Sequence, residues 1–298
     1  MLLHTSKSIF LLKKEYMINR DKYIKDFIKL AITEDIGDGD HTSLSCIPES
    51  QIGKAQLLVK QDGVIAGVDI AKTVFNTFDN SLKIEVFIND GTVVKKGDIV
   101  FEVSGKKVSI LQTERLVLNF MQRMSGIATQ TKEYAQILEG VNTRILDTRK
   151  TTPGMRLFEK IAVKLGGGDN HRMGLYDMIM IKDNHIDYAG GVKQAILRTK
   201  EYLKKNNKDL KIEVEARSFD EIREIMQVGG IHRIMIDNFS IEDTKKAIKL
   251  IDGKYETESS GGITKETIRG YAECGVDFIS VGALTHQIKS LDLSLKAI

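Results

Sequence analysis

Six short β-rich runs recur through the C-terminal half of the chain: Arg144 to Leu146, Met178 to Ile181, Lys211 to Val214, Arg233 to Ile236, Tyr255 to Glu258 and Phe278 to Val281. Each is followed at once by a polar residue or glycine and then by a helical pattern. Positions at or just past the ends of the runs, Arg149, Lys182, Glu215, Asp237, Ser259 and Val281, are separated by 33, 33, 22, 22 and 22 residues. That is the length of a strand, two short loops and a helix of about three to four turns. The period is architectural.

The helices between the later runs carry end signals. Ser218 with Glu221 and Ser240 with Asp243 read as N-cap pairs, Thr264 reads as the cap of the next helix, and Gly229, Gly230 and Gly275 read as stops. Ile222, Ile225 and Met226 share one face, as do Ala247 and Ile248, so these helices have a side to lay against a sheet. Strands that are apolar on both faces and alternate with helices predict a parallel sheet covered by helices. Chemically active residues stand at the C-terminal end of nearly every strand rather than at one crossover, which favours a closed or nearly closed β/α barrel over a doubly wound sheet.

The first 110 or so residues have another texture. Asp21 to Thr33 reads as an amphipathic helix through Ile24, Phe27, Ile28 and Ala31, followed by the polar stretch EDIGDGDHTS. From Gly53 to Ile110 the pattern is strand and turn, with turns at Asp62-Gly63, Asp90-Gly91 and Gly97-Asp98. The expected organisation is an α+β domain over 1–112, a connecting helix over 113–140 and a barrel over 141–284, with 285–298 packing back onto the first domain.

Composition bounds the function without naming it. The 298 residues are 42% hydrophobic and 29% charged with a net charge of +3, so nothing in the total points to nucleic acid. Cys46 and Cys274 lie far apart without metal-ligand spacing and read as buried thiols of a reducing compartment. No apolar stretch approaches the length of a membrane helix. The N-terminal MLLHTSKSIFLLKKEYMINR has a five-residue apolar run, too short for a signal-peptide core, and Met17 is an alternative start. A cytoplasmic enzyme is expected, with no nucleic-acid or membrane partner.

Three central segments, LDTRKTTPGMR, LGGGDNHRMGLYD and MIKDNH, gather cations around short apolar runs. Arg149 and Lys150 follow a strand directly at a Pro-Gly break, and arginine offers the planar fork that matches carboxylate or phosphate. Arg156 either lines the same pocket or faces solvent. Gly166, Gly167 and Gly168 end a helix and open a loop that carries Asn170, His171 and Arg172 toward the strand ends. His171 has no His or Cys partner at metal-ligand spacing, so a hydrogen-bonding or electrostatic role is expected of it. Lys182 closes an apolar strand, which requires an anion for its ammonium. Glu215 and Asp237 end the next two strands; they are salt-bridge partners, oxygen ligands for a divalent cation, or acceptors for sugar hydroxyls. Ser259, Ser260, Gly261, Gly262 and Ile263, then Gly282, Ala283 and Leu284, form a small-residue cradle suited to a phosphate.

LDTRKTTPGMR, AVKLGGGDNHRMGLYDMIMIKDNH, EVEARS, IMIDNFS, ESSGGI and ISVGALTH, with EDIGDGDHTS and ERLVLNFMQRMSGIAT nearer the N-terminus, together resemble the quinolinate phosphoribosyltransferases, also called nicotinate-nucleotide pyrophosphorylases (carboxylating). The resemblance covers about residues 20 to 290. It implies an α/β fold: an N-terminal α+β domain and an incomplete β/α barrel, TIM-like, at the C-terminus. The implied reaction is pentosyl transfer from 5-phosphoribosyl-1-pyrophosphate to quinolinate, giving nicotinate mononucleotide, pyrophosphate and CO₂ in NAD biosynthesis.

The resemblance further implies that Arg149, His171, Arg172 and Lys182 take the dicarboxylate, with Lys150 near the same pocket or the pyrophosphate. Glu215 and Asp237 would address the ribose hydroxyls and Mg²⁺, and Ser260, Gly261, Gly262, Gly282 and Ala283 would lie by the 5-phosphate. Lys150, Lys182, Glu215 and Asp237 form the implied catalytic set, acting through alignment and charge with no general acid or base. Arg115 would reach the active site of a neighbouring subunit, which implies a homodimer. Two other readings stand beside this one. A non-carboxylating nicotinate phosphoribosyltransferase would need fewer cations than these, and a non-catalytic phosphate-sugar sensor would not need the full set of strand-end residues.

Overall fold

The computed structural model describes residues 19–298, so the N-terminal apolar run and Met17 lie outside the described residues. Along the chain, α1 (Arg20–Ile36) and the short α2 (His41–Cys46) lead into β1 (Ile52–Val59), β2 (Gly63–Val64), α3 (Val68–Phe78), β3 (Lys83–Val86), β4 (Val93–Val94), β5 (Ile99–Lys106) and the long α4 (Lys107–Ile137). Alternation follows with β6 (Arg144–Leu146), α5 (Arg156–Leu165), β7 (Ile179–Ile181), α6 (Asp183–Ala189), α7 (Val192–Lys205), β8 (Ile212–Ala216), α8 (Phe219–Val228) and β9 (Arg233–Asp237). The chain ends with α9 (Ile241–Ile251), β10 (Glu256–Ser260), α10 (Ile268–Ala272), β11 (Phe278–Ser280), α11 (Ala283–His286) and β12 (Leu293–Ala297). These elements form two compact units: of the described residues, 19–129 with 157–165 and 289–298, and 130–156 with 166–288.

The first unit is built on an antiparallel sheet in the order β12-β1-β5-β3. Along β1 the side chains of Ala55, Leu57 and Val59 are buried in alternation with more exposed neighbours, the signature of a strand with one covered face. The C-terminal strand enters this sheet in register, with Leu57 opposite Leu295 and Val59 opposite Leu293. Phe75 on α3 packs edge-on against Phe101 of β5, while Phe27, Phe120 and Phe158 form a second aromatic group. The polar stretch after α1 holds a helix start that composition hides: Asp40 accepts from the Thr42 and Ser43 amides and caps α2. The connecting helix expected over 113–140 begins earlier, at Lys107, because β5 runs directly into it without a breaker.

The second unit contains a six-stranded parallel sheet in the order β6-β11-β10-β9-β8-β7. All six expected strands are present, and Ser218 and Ser240 cap α8 and α9 by accepting from the Glu221 and Asp243 amides. Thr264 is not a cap; α10 starts later, after Thr267. Ile212, Val214, Ala216, Ile234 and Ile236 pack with Ile222, Ile225, Ala247 and Ile251 of the helices in one buried cluster. By the period of two, Glu213, Glu215, Arg233, Met235 and Asp237 occupy the opposite, inner face.

No ladder joins β6 to β7, so the sheet is not closed. The edge of β6 takes a single parallel bridge from Asp169 to Leu146. Because the ends of all six strands converge on one cavity, the sheet is curved, and the architecture is an incomplete β/α barrel.

Candidate active site

The C-terminal ends of the six parallel strands open into a cavity of about 980 Å³, a size suited to small-molecule ligands. Twelve of the thirteen residues that the sequence nominates line it, from Arg149 and Lys150 after β6 round to Gly282 and Ala283 after β11. Arg115, the thirteenth, is exposed on α4 in the first unit. Arg156 does not line the cavity either: its Nε donates to Thr151 Oγ1 and its Nη1 to the Met173 carbonyl, so it braces two loops of the site.

The cationic loop after β6 is held from both sides. The Lys150 amide donates to Thr148 Oγ1 at 3.0 Å, and the Thr285 hydroxyl donates to the Lys150 carbonyl at 2.8 Å. Gly282 explains why a small residue is needed opposite: a Cβ there would stand 2.9 Å from His286 Nε2 and 3.0 Å from Lys150 Cδ. At the next strand ends, Lys182 Nζ lies 2.7 Å from Glu215 Oε2. The lysine side chain is 43% exposed, so it reaches out of the apolar strand and meets its anion at the cavity rim.

The cradle after β9 and β10 is set by backbone geometry. The Asn238 amide donates to the Ser260 carbonyl at 2.8 Å, and the Asn238 side chain donates to Asp237 Oδ2 at 2.5 Å. Gly261 has φ +100°, and a Cβ on it would collide with the Asn238 side chain, so only glycine fits this turn.

At the cavity floor lies a cluster that spacing along the chain does not reveal. The Asp169 amide donates to the Ile145 carbonyl at 2.8 Å and the His171 amide donates to Asp147 Oδ1 at 2.8 Å, which ties the glycine-rich loop to β6. His171 Nε2 then lies 2.9 Å from Glu213 Oε2 and 3.3 Å from Glu258 Oε2. Its Nδ1 accepts from the Arg172 amide at 2.7 Å. Arg233 completes the group: Nη1 donates to Glu258 at 2.9 Å and Nη2 to Glu256 at 3.2 Å, with the guanidinium over the Phe278 ring.

The electrostatics of this cluster are strongly perturbed. Burial alone would lower the His171 pKa and its contacts with Glu213 and Glu258 raise it to about 9, but the Arg172 amide donates to Nδ1, a bond that only the neutral ring accepts. Burial and the charge of Glu258 push Glu213 up to about 7. Glu258 is just as buried, yet the hydrogen bond and charge of His171, together with Arg233, hold it down to about 2. Arg172 is shifted down by burial and by the like charge of Arg149. Two guanidinium groups that repel each other beside a cavity favour an anionic ligand.

His171, Glu213 and Glu258 are also a set of potential ligands for a divalent cation, with ligand atoms all within 4.8 Å of one another. Glu213, Arg233 and Glu258 were not singled out in the sequence. The available signal was the pleat: Glu213 stands two residues before Glu215, and Glu258 two before Ser260, on the same inner face.

The family comparison separates this site from others of similar charge. The model for "Quinolinate phosphoribosyl transferase, C-terminal domain" matches residues 127–296, and that for the N-terminal domain matches residues 40–125. The chain belongs to the quinolinate phosphoribosyltransferase family. It is 46% identical over 288 residues to the "Quinolinate phosphoribosyltransferase [decarboxylating] 2b, mitochondrial" of Nicotiana tabacum, covering 92% of this chain and 82% of that protein. It is 41% identical over 272 residues to the "Probable nicotinate-nucleotide pyrophosphorylase [carboxylating]" of Bacillus subtilis, covering 91% and 92%. The nicotinate-nucleotide pyrophosphorylase structure from Francisella tularensis superposes with a TM-score of 0.88 at 37% identity, covering 95% of this chain and 98% of that one. The quinolinate phosphoribosyltransferase fold thus extends over both units.

Among the described residues no helix is long and apolar enough to cross a membrane. Cys46 and Cys274 are free thiols. The burial expected of both does not hold: Cys46 ends the short α2 in an exposed position and Cys274 is only half-buried.

Proposed function

We propose that quinolinate binds in the strand-end cavity with its two carboxylates between Arg149, Arg172 and Lys182, with His171 beside them and Lys150 toward the pyrophosphate. The activity itself follows from the family: the chain is a carboxylating phosphoribosyltransferase that converts quinolinate and 5-phosphoribosyl-1-pyrophosphate to nicotinate mononucleotide in NAD biosynthesis. What most supports the site assignment is the convergence of cations, two carboxylates and a glycine-rich turn on one cavity from six successive strand ends.

In this reading Glu215 and Asp237 receive the ribose hydroxyls, and Ser260, Gly261, Gly262, Gly282 and Ala283 receive the 5-phosphate. The two carboxylates also suit Mg²⁺, which takes hard oxygen ligands and keeps waters and substrate phosphates in its shell. When bound, Mg²⁺ would neutralise charge on the departing pyrophosphate.

The chain's own contribution is alignment. Lys182 releases Glu215 when a substrate carboxylate takes the place of that partner, and Arg149 and Arg172 orient the ring so that its nitrogen faces the anomeric carbon. The nitrogen lone pair forms the new C–N bond as the bond to pyrophosphate breaks, with Lys150 beside the leaving charge. The quaternised nitrogen then stabilises the electron pair left on the ring when the adjacent carboxylate departs as CO₂, and a proton from solvent fills that position. No side chain is required as acid or base.

Arg115, exposed on α4, completes a neighbouring subunit's site in a homodimer. The free thiols support a reducing, cytoplasmic compartment.

The test is an assay of the purified protein with quinolinate, 5-phosphoribosyl-1-pyrophosphate and Mg²⁺, following nicotinate mononucleotide and CO₂ together, with nicotinate as parallel acceptor. Equal yields of both products from quinolinate, and none from nicotinate, are expected. Product from nicotinate without CO₂ would overturn the dicarboxylate assignment.

A further inference from the structure

The buried cluster at the cavity floor holds more charge than substrate binding uses. Glu213 and Glu258 are fully buried, and Arg233 and His171 are each 9% exposed. Groups of this kind contribute little net stability compared with apolar residues of the same size, so their arrangement calls for another account. Among the described residues no donor meets either Glu213 oxygen with well-aligned hydrogen-bond geometry. The close neighbour of that carboxylate is His171 Nε2, which it shares with Glu258.

A cation bound by these three side chains is the competing account. Against it, Arg233 already supplies a positive charge at 2.9 Å from Glu258. His171 Nε2 stands 2.9 Å from Glu213 Oε2, a close polar pairing though not an aligned hydrogen bond. Arg233 offsets Glu258, and Glu213, which burial pushes up to about 7, shares a proton with His171 Nε2, so the cluster needs no ion.

The consequence lies at the other end of the ring. With Nε2 held by the two carboxylates, Nδ1 is the acceptor for the Arg172 amide at 2.7 Å. That bond fixes the 171–172 peptide, while the Arg172 guanidinium is steadied by the Met178 carbonyl at 3.2 Å. Both ring nitrogens are therefore engaged by the protein and neither is presented to a ligand. We propose that Glu213 and Glu258 are positioning residues: they clamp His171 so that its ring aims Arg172 into the cavity, and His171 acts on quinolinate through Arg172 rather than by touching it. This rests on the reading that Arg172 binds a quinolinate carboxylate.

Glu213→Leu removes the acceptor while keeping the volume, and Glu213→Gln keeps an acceptor oxygen. Loss of that close polar contact in a positioning chain predicts that Glu213→Leu raises the quinolinate KM about tenfold or more, with the KM for 5-phosphoribosyl-1-pyrophosphate within about twofold of wild type. Glu213→Gln should restore most of the loss. A folded Glu213→Leu enzyme with unchanged quinolinate KM, or one in which both KM values rise together, would overturn the proposal, as would a Gln variant no better than Leu.

Should Glu213→Leu fail to fold, ¹⁵N-histidine NMR of the wild-type protein decides instead. A bare Nδ1 and protonated Nε2 on His171, unchanged when quinolinate is added, are expected; a new bond from the ring to quinolinate would refute the clamp. Arg172→Ala separates the two readings. If it leaves the quinolinate KM unaltered, the binding assignment fails, whereas the His171 tautomer reports on the clamp alone.

Discussion

Lys182 and Glu215 stand 2.7 Å apart across the ends of neighbouring strands, one a cation nominated for quinolinate and the other a carboxylate nominated for ribose. With 43% of the lysine side chain exposed, the pair adds about 1 kcal/mol or less to stability once solvent screening is counted. Its value lies in what each partner does when the other is taken by substrate. Lys182→Ala should therefore leave the melting temperature within a few degrees of wild type while lowering kcat/KM for quinolinate by about a hundredfold or more. Thermal denaturation beside steady-state kinetics checks both halves, and a large fall in melting temperature would show that the lysine is structural.

The buried cluster predicts how stability depends on pH. Glu213 has a raised pKa, about 7 against 4.5. Its contribution is full below 4.5 and is lost as pH rises through 7. Glu258, held at about 2 against 4.5, contributes fully above 4.5 and loses that contribution as pH falls through 2. From these groups, stability should decline between pH 4.5 and 7 and also on acidification below 4.5. Urea unfolding across this range tests the signs, and in Glu213→Gln the decline between 4.5 and 7 should be smaller than in wild type.

Gly261 sits where the turn after β10 passes the Asn238 side chain. Its φ of +100° and the collision facing any Cβ make Gly261→Ala cost about 1–3 kcal/mol in local strain. The cradle assigned to the 5-phosphate should open as a result. The KM for 5-phosphoribosyl-1-pyrophosphate should rise at least several-fold, while a direct binding measurement for quinolinate changes little. An equal loss for both ligands would show that the turn supports the whole cavity.

How much of this was legible in the sequence differs from element to element. The parallel sheet was readable because each apolar run is followed by a polar residue or glycine on a regular spacing, and Ser218 and Ser240 announced their helices by cap chemistry that acts over three residues. Positions carrying charge at strand ends, such as Arg149 and Asp237, were equally readable, since an ion closing an apolar run has few bland explanations. The Glu213–His171–Glu258–Arg233 cluster was not. Its members come from a loop and three separate strands, and what joins them is curvature of the sheet, which no local pattern encodes. Glu213 is hidden further because it lies inside an apolar strand, where charge looks like an exception rather than a side-chain partner. The α4 start at Lys107 escaped notice for a local reason: nothing in the sequence breaks between β5 and the helix, so propensity alone could not place the boundary.

Arg115 gives the sharpest test of assembly. It is exposed on α4 and does not line the cavity of its own chain, so a substrate contact would have to be made in another subunit. Arg115→Ala and Lys182→Ala should each be nearly inactive as homodimers, by different routes: one lacks the donated arginine and the other the resident lysine. In a mixed dimer, one of the two sites receives a native Arg115 from the Lys182→Ala chain and keeps its own native Lys182. Mixing therefore restores up to about a quarter of wild-type activity per total protein, because random exchange puts half of the chains in mixed dimers and each mixed dimer has one intact site. Activity measured after subunit exchange, with dimer composition verified by differently tagged chains, checks this. Verified mixed dimers without recovery would show that the arginine does not cross between subunits.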